Sequence, residues 1–203
     1  MWALVLLGMP AAATAGREAY VVDTGASRVR VHVERAGLLG FLGHDHEVEA
    51  PLAEGRLEVD PADPEASRVD LRWDASALAV VPGTEPAQDI PAVEKQMRGP
   101  EVLDALAHPG IRFWSFEVRV EEAPPGAGRW RLRVKGGLEL KGARHTVEVP
   151  LEVRRVDDAL VTTGEVELRL SRLGVRPPSV GGLVKVSDKF RITFELRARR
   201  EHP

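Results

Sequence analysis

The sequence predicts an all-β protein folded as a single closed antiparallel barrel, and three observations carry that prediction. Segment after segment between Ala19 and Arg199 alternates apolar and polar residues with a period of two, as strands do when one face is buried and the other meets water. About ten such segments follow one another, separated by turn-forming residues and interrupted by one helical stretch. Nucleotide-binding motifs are absent. Closing such a sheet removes its two edges and leaves an enclosed interior, the natural place for an apolar ligand.

Composition narrows the class. A chain of 203 residues suits one domain with a substantial core. The formal net charge is −3, with both signs mixed along the strands, so a nucleic-acid surface with clustered Lys and Arg is not expected. There is no cysteine, which excludes disulfides, thiol nucleophiles and thiolate metal sites; any metal would need His and carboxylate ligands. Residues 1–15 carry no charged side chain, run apolar from Trp2 to Met9 and end in Ala13-Thr14-Ala15. That pattern reads as an export signal cut near Ala15, leaving residues 16–203 as the barrel domain in the periplasm or outside the cell. The charges of Arg17 and Glu18 arrive too soon for a transmembrane anchor of ~20 apolar residues.

The elements follow in order. Strands are predicted over 19–23, 27–35, 43–50, 54–60, 67–78, 111–121, 129–140, 143–156, 159–172 and 184–199. In the last of these Phe190, Ile192, Phe194, Leu196 and Ala198 alternate with charged and polar residues, and in 143–156 Val147, Val149, Leu151 and Val153 do the same. Asp60-Pro61-Ala62-Asp63-Pro64, Pro124-Pro125-Gly126-Ala127-Gly128 and Asp157-Asp158 supply turns between strands. Gly136-Gly137 inside a strand pattern predicts a bulge or sharp bend at a barrel corner. Between the fifth and sixth strands the period changes, and 92–97 and 101–107 read as two short helical pieces split at Gly99-Pro100. In the second, Val102, Leu103, Leu106 and Ala107 fall on one helical face, suited to covering a barrel end. His108 then reads as a helix C-terminal cap. The Pro- and Gly-rich stretch 174–182 is too long for a hairpin turn and reads as a flap at the barrel mouth.

Strand parity sorts the histidines. His32 falls with Arg28, Arg30 and Glu34, opposite Val29, Val31 and Val33, and is expected in solvent. His44 and His46 share parity with the apolar residues of their segment, and His145 shares it with Val147, Val149 and Leu151, so all three are expected to face inward. Three inward imidazoles admit a Zn or Cu site, a polar anchor for a ligand head group, or structural histidines bonded by their surroundings, and the sequence leaves these open. No Gly-x-Ser-x-Gly elbow, His-Glu-x-x-His pair or cysteine nucleophile is present, and binding without turnover is expected.

Several motifs resemble those of the YceI-like family. They are Tyr20-Val21-Val22-Asp23 with Ser27-x-Val29, Gln96-Met97-x-x-Pro100-x-Val102-Leu103-Asp104, and His108-Pro109-x-Ile111-x-Phe113-x-Ser115. Gly137-Leu138 leading into Leu140-Lys141-Gly142-Ala143-Arg144-His145-x-Val147, and Leu170-Ser171-Arg172-Leu173-Gly174, complete the set. The resemblance implies a lipocalin-like antiparallel barrel of about eight strands that binds long isoprenoid lipids inside. Where many relatives carry Gly-Val-Thr, a basic residue and Pro, this chain has Gly142-Ala143-Arg144-His145-Thr146, and Gly43-His44-Asp45-His46 resembles a subgroup. On this reading Val31, Leu57, Leu71, Trp73, Ile111, Phe113, Leu132, Val149, Ile192 and Phe194 line the interior. His44, His46, His145 and Arg144 would meet the polar end of the ligand, and Arg172 and Arg176 stand near the same mouth. A metal-binding protein using His44, His46 and His145 is the alternative.

Overall fold

In the computed structural model, residues 16–36, 46–126, 128–175, 179–180 and 184–201 are described. Among the described residues twelve strands form one sheet. The first three staves of the barrel are each built from two strands: β1 (Glu18–Val22) with β2 (Arg28–Ala36), β3 (His46–Glu49) with β4 (Leu52–Val59), and β5 (Arg68–Asp74) with β6 (Ala79–Val80). Long strands then follow as β7 (Gly110–Glu122), β8 (Arg129–Leu140), β9 (Ala143–Val156), β10 (Ala159–Arg169) and β12 (Val184–Arg200), with the two-residue β11 (Ser179–Val180) pairing β12 alone. Each stave pairs with the next in sequence. β12 closes the ring by pairing β10 along one edge and both β1 and β2 along the other. The result is a closed antiparallel barrel of eight staves.

The chain patches the ladder wherever a stave bends. Between β1 and β2 the register against β12 shifts from Val22↔Ala198 to Arg28↔Glu195. Buried Ser27 supplies the missing acceptor there, its Oγ taking the Arg197 N–H at 3.0 Å. In β7 the register against β8 shifts between Ser115 and Glu117, and Ser115 Oγ accepts the Val69 N–H at 3.0 Å.

The bulge expected at Gly136-Gly137 therefore lies on the facing strand, where Phe116 is the extra residue. The slip explains the local pattern, because Phe113 faces inward before it and Val118 and Val120 after it. The two glycines let side chains lie flat against β8. A Cβ on Gly136 would stand 2.5 Å from the Phe113 ring and 2.5 Å from the Trp114 carbonyl oxygen, and one on Gly137 would strike the Trp114 ring.

Three expectations are corrected. Helix α1 runs Ile90–Arg98, but 101–107 is a run of turns. Pro100 has no N–H to give, and Asp104 sits at φ 49°, which ends any helix. Leu103 is buried while Leu106 is 98% exposed, so the proposed helical face does not exist. His108 consequently caps no helix; its N–H closes a turn on the Asp104 carbonyl at 2.8 Å, and its ring would collide with a Cβ on Gly142. The predicted strands 67–78 and 159–172 stop early, in 3-10 turns at Ala75–Ala77 and Leu170–Leu173, the second closed by Gly174 at φ 69°.

Adding a single methyl at Gly136 strains both a backbone carbonyl and an aromatic ring. Gly136→Ala is expected to lower stability by about 1–3 kcal/mol, read as a lower urea midpoint at unchanged slope. An unchanged midpoint would contradict the close approach.

Candidate functional site

The inward faces of the staves do not fill the barrel. They surround a cavity of about 360 Å³, within the ~300–1,000 Å³ range of small-molecule sites. All ten side chains predicted for the lining stand on its wall: Val31, Leu57, Leu71, Trp73, Ile111, Phe113, Leu132, Val149, Ile192 and Phe194. Strand period explains this placement, since one parity per strand fixes every second residue. The wall is hydrocarbon almost throughout. Polar groups occur mainly at one end, where Asp60, Ser67, Arg68 and Arg155 border the cavity.

The two ends differ in their chemistry. At the polar end Glu18 is nearly buried, accepts from Tyr20 Oη at 2.7 Å and Arg155 Nη2 at 3.0 Å, and forms an ion pair with Arg200 Nη2 at 3.2 Å. Burial and the Glu18 carboxylate push the Tyr20 phenol above its ordinary pKa. At the other end Met97, Val102 and Leu103 cover the lumen from α1 and the turns after it, joined by Leu170, Leu173 and Val175. Helix α1 is held by a side-chain latch. Glu94 Oε1 accepts the Val80 N–H at 3.0 Å, Arg98 Nη2 donates to the Leu78 carbonyl at 2.7 Å, and the two side chains pair at 3.3 Å.

Two polar atoms near the lumen stand out. The Trp73 indole Nε1 and the His145 Nε2 are buried without a hydrogen-bond partner, a state that costs about 1–3 kcal/mol for each group. His145 has the inward parity predicted for it, pairing across from Leu138, which lines the cavity. His46 pairs with Val33 in the ladder, and its side chain and all of His44 lie outside the described residues. Arg176 lies outside them too. Among the described residues no three His, Asp or Glu side chains gather as a metal site. His32 is on the outer face as parity predicts, but it is half-buried, its Nε2 2.9 Å from Thr193 Oγ1.

Arg144 is corrected in position. It points outward, pairs with Glu139 at 3.4 Å and lies 5.6 Å from the centre of the Trp114 ring. Arg112 sits over the same ring at 5.4 Å and binds Asp70, whose carboxyl that hydrogen bond holds below the usual range. Arg144 thus belongs to an exterior ladder of charges over Gly137 rather than to the lumen. Its parity, opposite to that of Val147, already carried this signal.

A hollow antiparallel barrel with an apolar lumen is the lipocalin-like class of architecture, in which the interior is the binding site. Within that class, the YceI-like domain matches residues 20–198, and the chain belongs to that family. Solved structures share the fold. BcnA of Burkholderia cenocepacia superposes with a TM-score of 0.65 at 21% identity, over 87% of this chain and 98% of its own. A polyisoprenoid binding domain from Saccharophagus degradans, implicated in plant cell wall breakdown, gives 0.65 at 14% identity over 91% and 99%. The YCEI protein of Campylobacter jejuni gives 0.52 at 15% identity over 77% and 82%. Comparison with curated protein sequences returns no match. Among the described residues no helix is long and apolar enough to cross a membrane.

Breaking the latch frees the lumen's helical cover. Glu94→Ala is expected to raise the hydrogen-exchange rate of the Val80 amide by about tenfold or more, from the loss of one charge-assisted bond of about 1.5–3 kcal/mol. Unchanged exchange at Val80 would mean that α1 is held by other contacts.

Proposed function

We propose that this protein is a carrier that holds a long hydrocarbon ligand of the isoprenoid type inside the barrel and releases it chemically unchanged. The observation that carries the reading is the cavity, whose wall is made by Val, Leu, Ile and aromatic side chains from every stave. Burying apolar surface is worth roughly 0.8 kcal/mol per CH₂, so a chain of a few isoprene units gains enough to offset the cost of ordering it. The polyisoprenoid binding of the Saccharophagus degradans domain supports the same ligand class for a barrel of this shape. No motif for covalent or hydrolytic chemistry accompanies the lumen in the sequence. The apolar segment Trp2–Met9 and Ala13-Thr14-Ala15 support export, with the carrier acting in the periplasm or beyond the cell.

The protein purified without detergent is expected to carry a lipid adduct in native mass spectrometry that organic extraction removes, and the stripped protein is expected to take up geranylgeraniol. Val149→Trp, which pushes an indole into the lumen, should fold by circular dichroism and lose both. A stripped wild-type protein that takes up no geranylgeraniol, or a folded Val149→Trp variant that takes it up undiminished, would overturn the proposal.

A further inference from the structure

The barrel wall is not continuous. β9 and β10 pair from Val156↔Ala159 to Leu151↔Gly164 and no further, although β9 runs on to Ala143 beside β8 and β10 runs on to Arg169 beside β12. A seam opens between residues 143–150 and 165–169. A proline stands where it begins. Lys141 and Gly142 have φ of 52° and 71°, a two-residue turn whose closing pair, Leu140↔Ala143, exchanges both backbone hydrogen bonds. Alternation from that pair directs the backbone polar groups of positions 144, 146, 148 and 150 away from β8 and toward β10. Position 150 is proline, so the rung that would continue the β9–β10 ladder lacks its donor, and the ladder stops.

A groove lies on the seam, and its floor is shared with the lumen. Val147, Leu168 and Leu173 line both. Most charges around the groove are occupied elsewhere: Glu148 by Arg133 at 3.2 Å, Glu167 by Lys189 at 2.9 Å, Arg144 by Glu139 and Arg169 by Asp188 at 3.7 Å. Two groups are not. Among the described residues Arg172, exposed on the Leu170–Leu173 turn, has no carboxylate partner, and the buried His145 Nε2 has no hydrogen-bond partner. An unpaired guanidinium and an unpartnered imidazole nitrogen on one groove, whose two glutamates are already paired with Arg133 and Lys189, favour an anion.

We propose that the β9–β10 seam is a lateral port for an anionic amphiphile, whose phosphate or carboxylate head rests on Arg172 and His145 while its tail crosses between Val147, Leu168 and Leu173 into the lumen. This rests on the carrier reading above and adds a head-group charge and an orientation to it. The port explains two features that the lumen alone does not, namely an unpartnered imidazole nitrogen beneath the Leu170–Leu173 turn and a proline in a strand otherwise paired throughout its length on the other side.

Titration of stripped protein with geranylgeranyl phosphate, geranylgeraniol and inorganic phosphate separates the outcomes. The wild type is expected to bind the phosphate ester at least about tenfold more tightly than the alcohol, as one or two charge-assisted hydrogen bonds provide. His145→Gln with Arg172→Gln should bring the ester to the level of the alcohol and leave the alcohol unchanged; Arg172→Gln alone, at an exposed position, serves if the double variant does not fold. Equal wild-type affinities for ester and alcohol, or a preference that survives the substitutions, would overturn the port and leave the carrier reading standing. Inorganic phosphate competing as strongly as the ester, or ester binding that survives Val149→Trp, would show an anion site unconnected to the lumen and would also overturn it. Failure of the alcohol and the ester alike to bind the wild type would overturn the carrier reading, and the port with it.

Discussion

The strand on which the rest depends is β12. Its one edge is paired with β10 from Lys189 to Arg199, while its other edge is shared between β2 and β1. An eight-stave barrel closed in this way has no free edge to cap at that point and no need of a second layer to cover its apolar face, because that face is turned in upon itself. The cost is a bend in the first stave where β12 passes from β2 to β1. A serine hydroxyl at position 27 fills the backbone vacancy that the bend creates. Closure makes the lumen, and the lumen makes the function proposed for it.

What keeps the lumen hollow is the choice of side chains. Val, Leu and Ile dominate the wall, and aromatic residues make up only 5% of the chain. Glycines at 136 and 164 let Phe113 and Phe194 lie against the backbone instead of reaching across the space. A barrel of this number of strands is just wide enough for its own side chains to fill. Here Phe113 and Phe194 are laid along the wall, and space remains.

Much of this was legible in the sequence, and the reasons are local. Period-two alternation fixed the strands and, through parity, the ten lining residues and the inward aspect of His145. Legibility failed where one residue changes the geometry without changing the pattern. Asp104, in the left-handed region, turns the stretch 101–107 away from the helix that its apolar spacing suggests. Phe116 supplies a bulge on β7 that the paired glycines of β8 seemed to announce for themselves. The outward place of Arg144 and the end of the β9–β10 ladder were both written in the sequence, the first as parity against Val147 and the second as Pro150. The second cannot be interpreted until the neighbouring strand is known, because a missing donor matters only if its side of the strand faces a partner.

The proposed function requires a hydrocarbon chain to occupy the space inside the staves. Intermolecular NOEs between a bound isoprenoid alcohol and the methyl groups of Val31, Val149 and Ile192, on perdeuterated, methyl-labelled protein, test it most directly. Cross-peaks from the chain to all three are expected, since Val31 and Ile192 are cross-strand neighbours on β2 and β12 while Val149 stands apart from them on β9. Cross-peaks confined to exposed residues such as Val21 and Val156, with none to the three inner methyls, would contradict it.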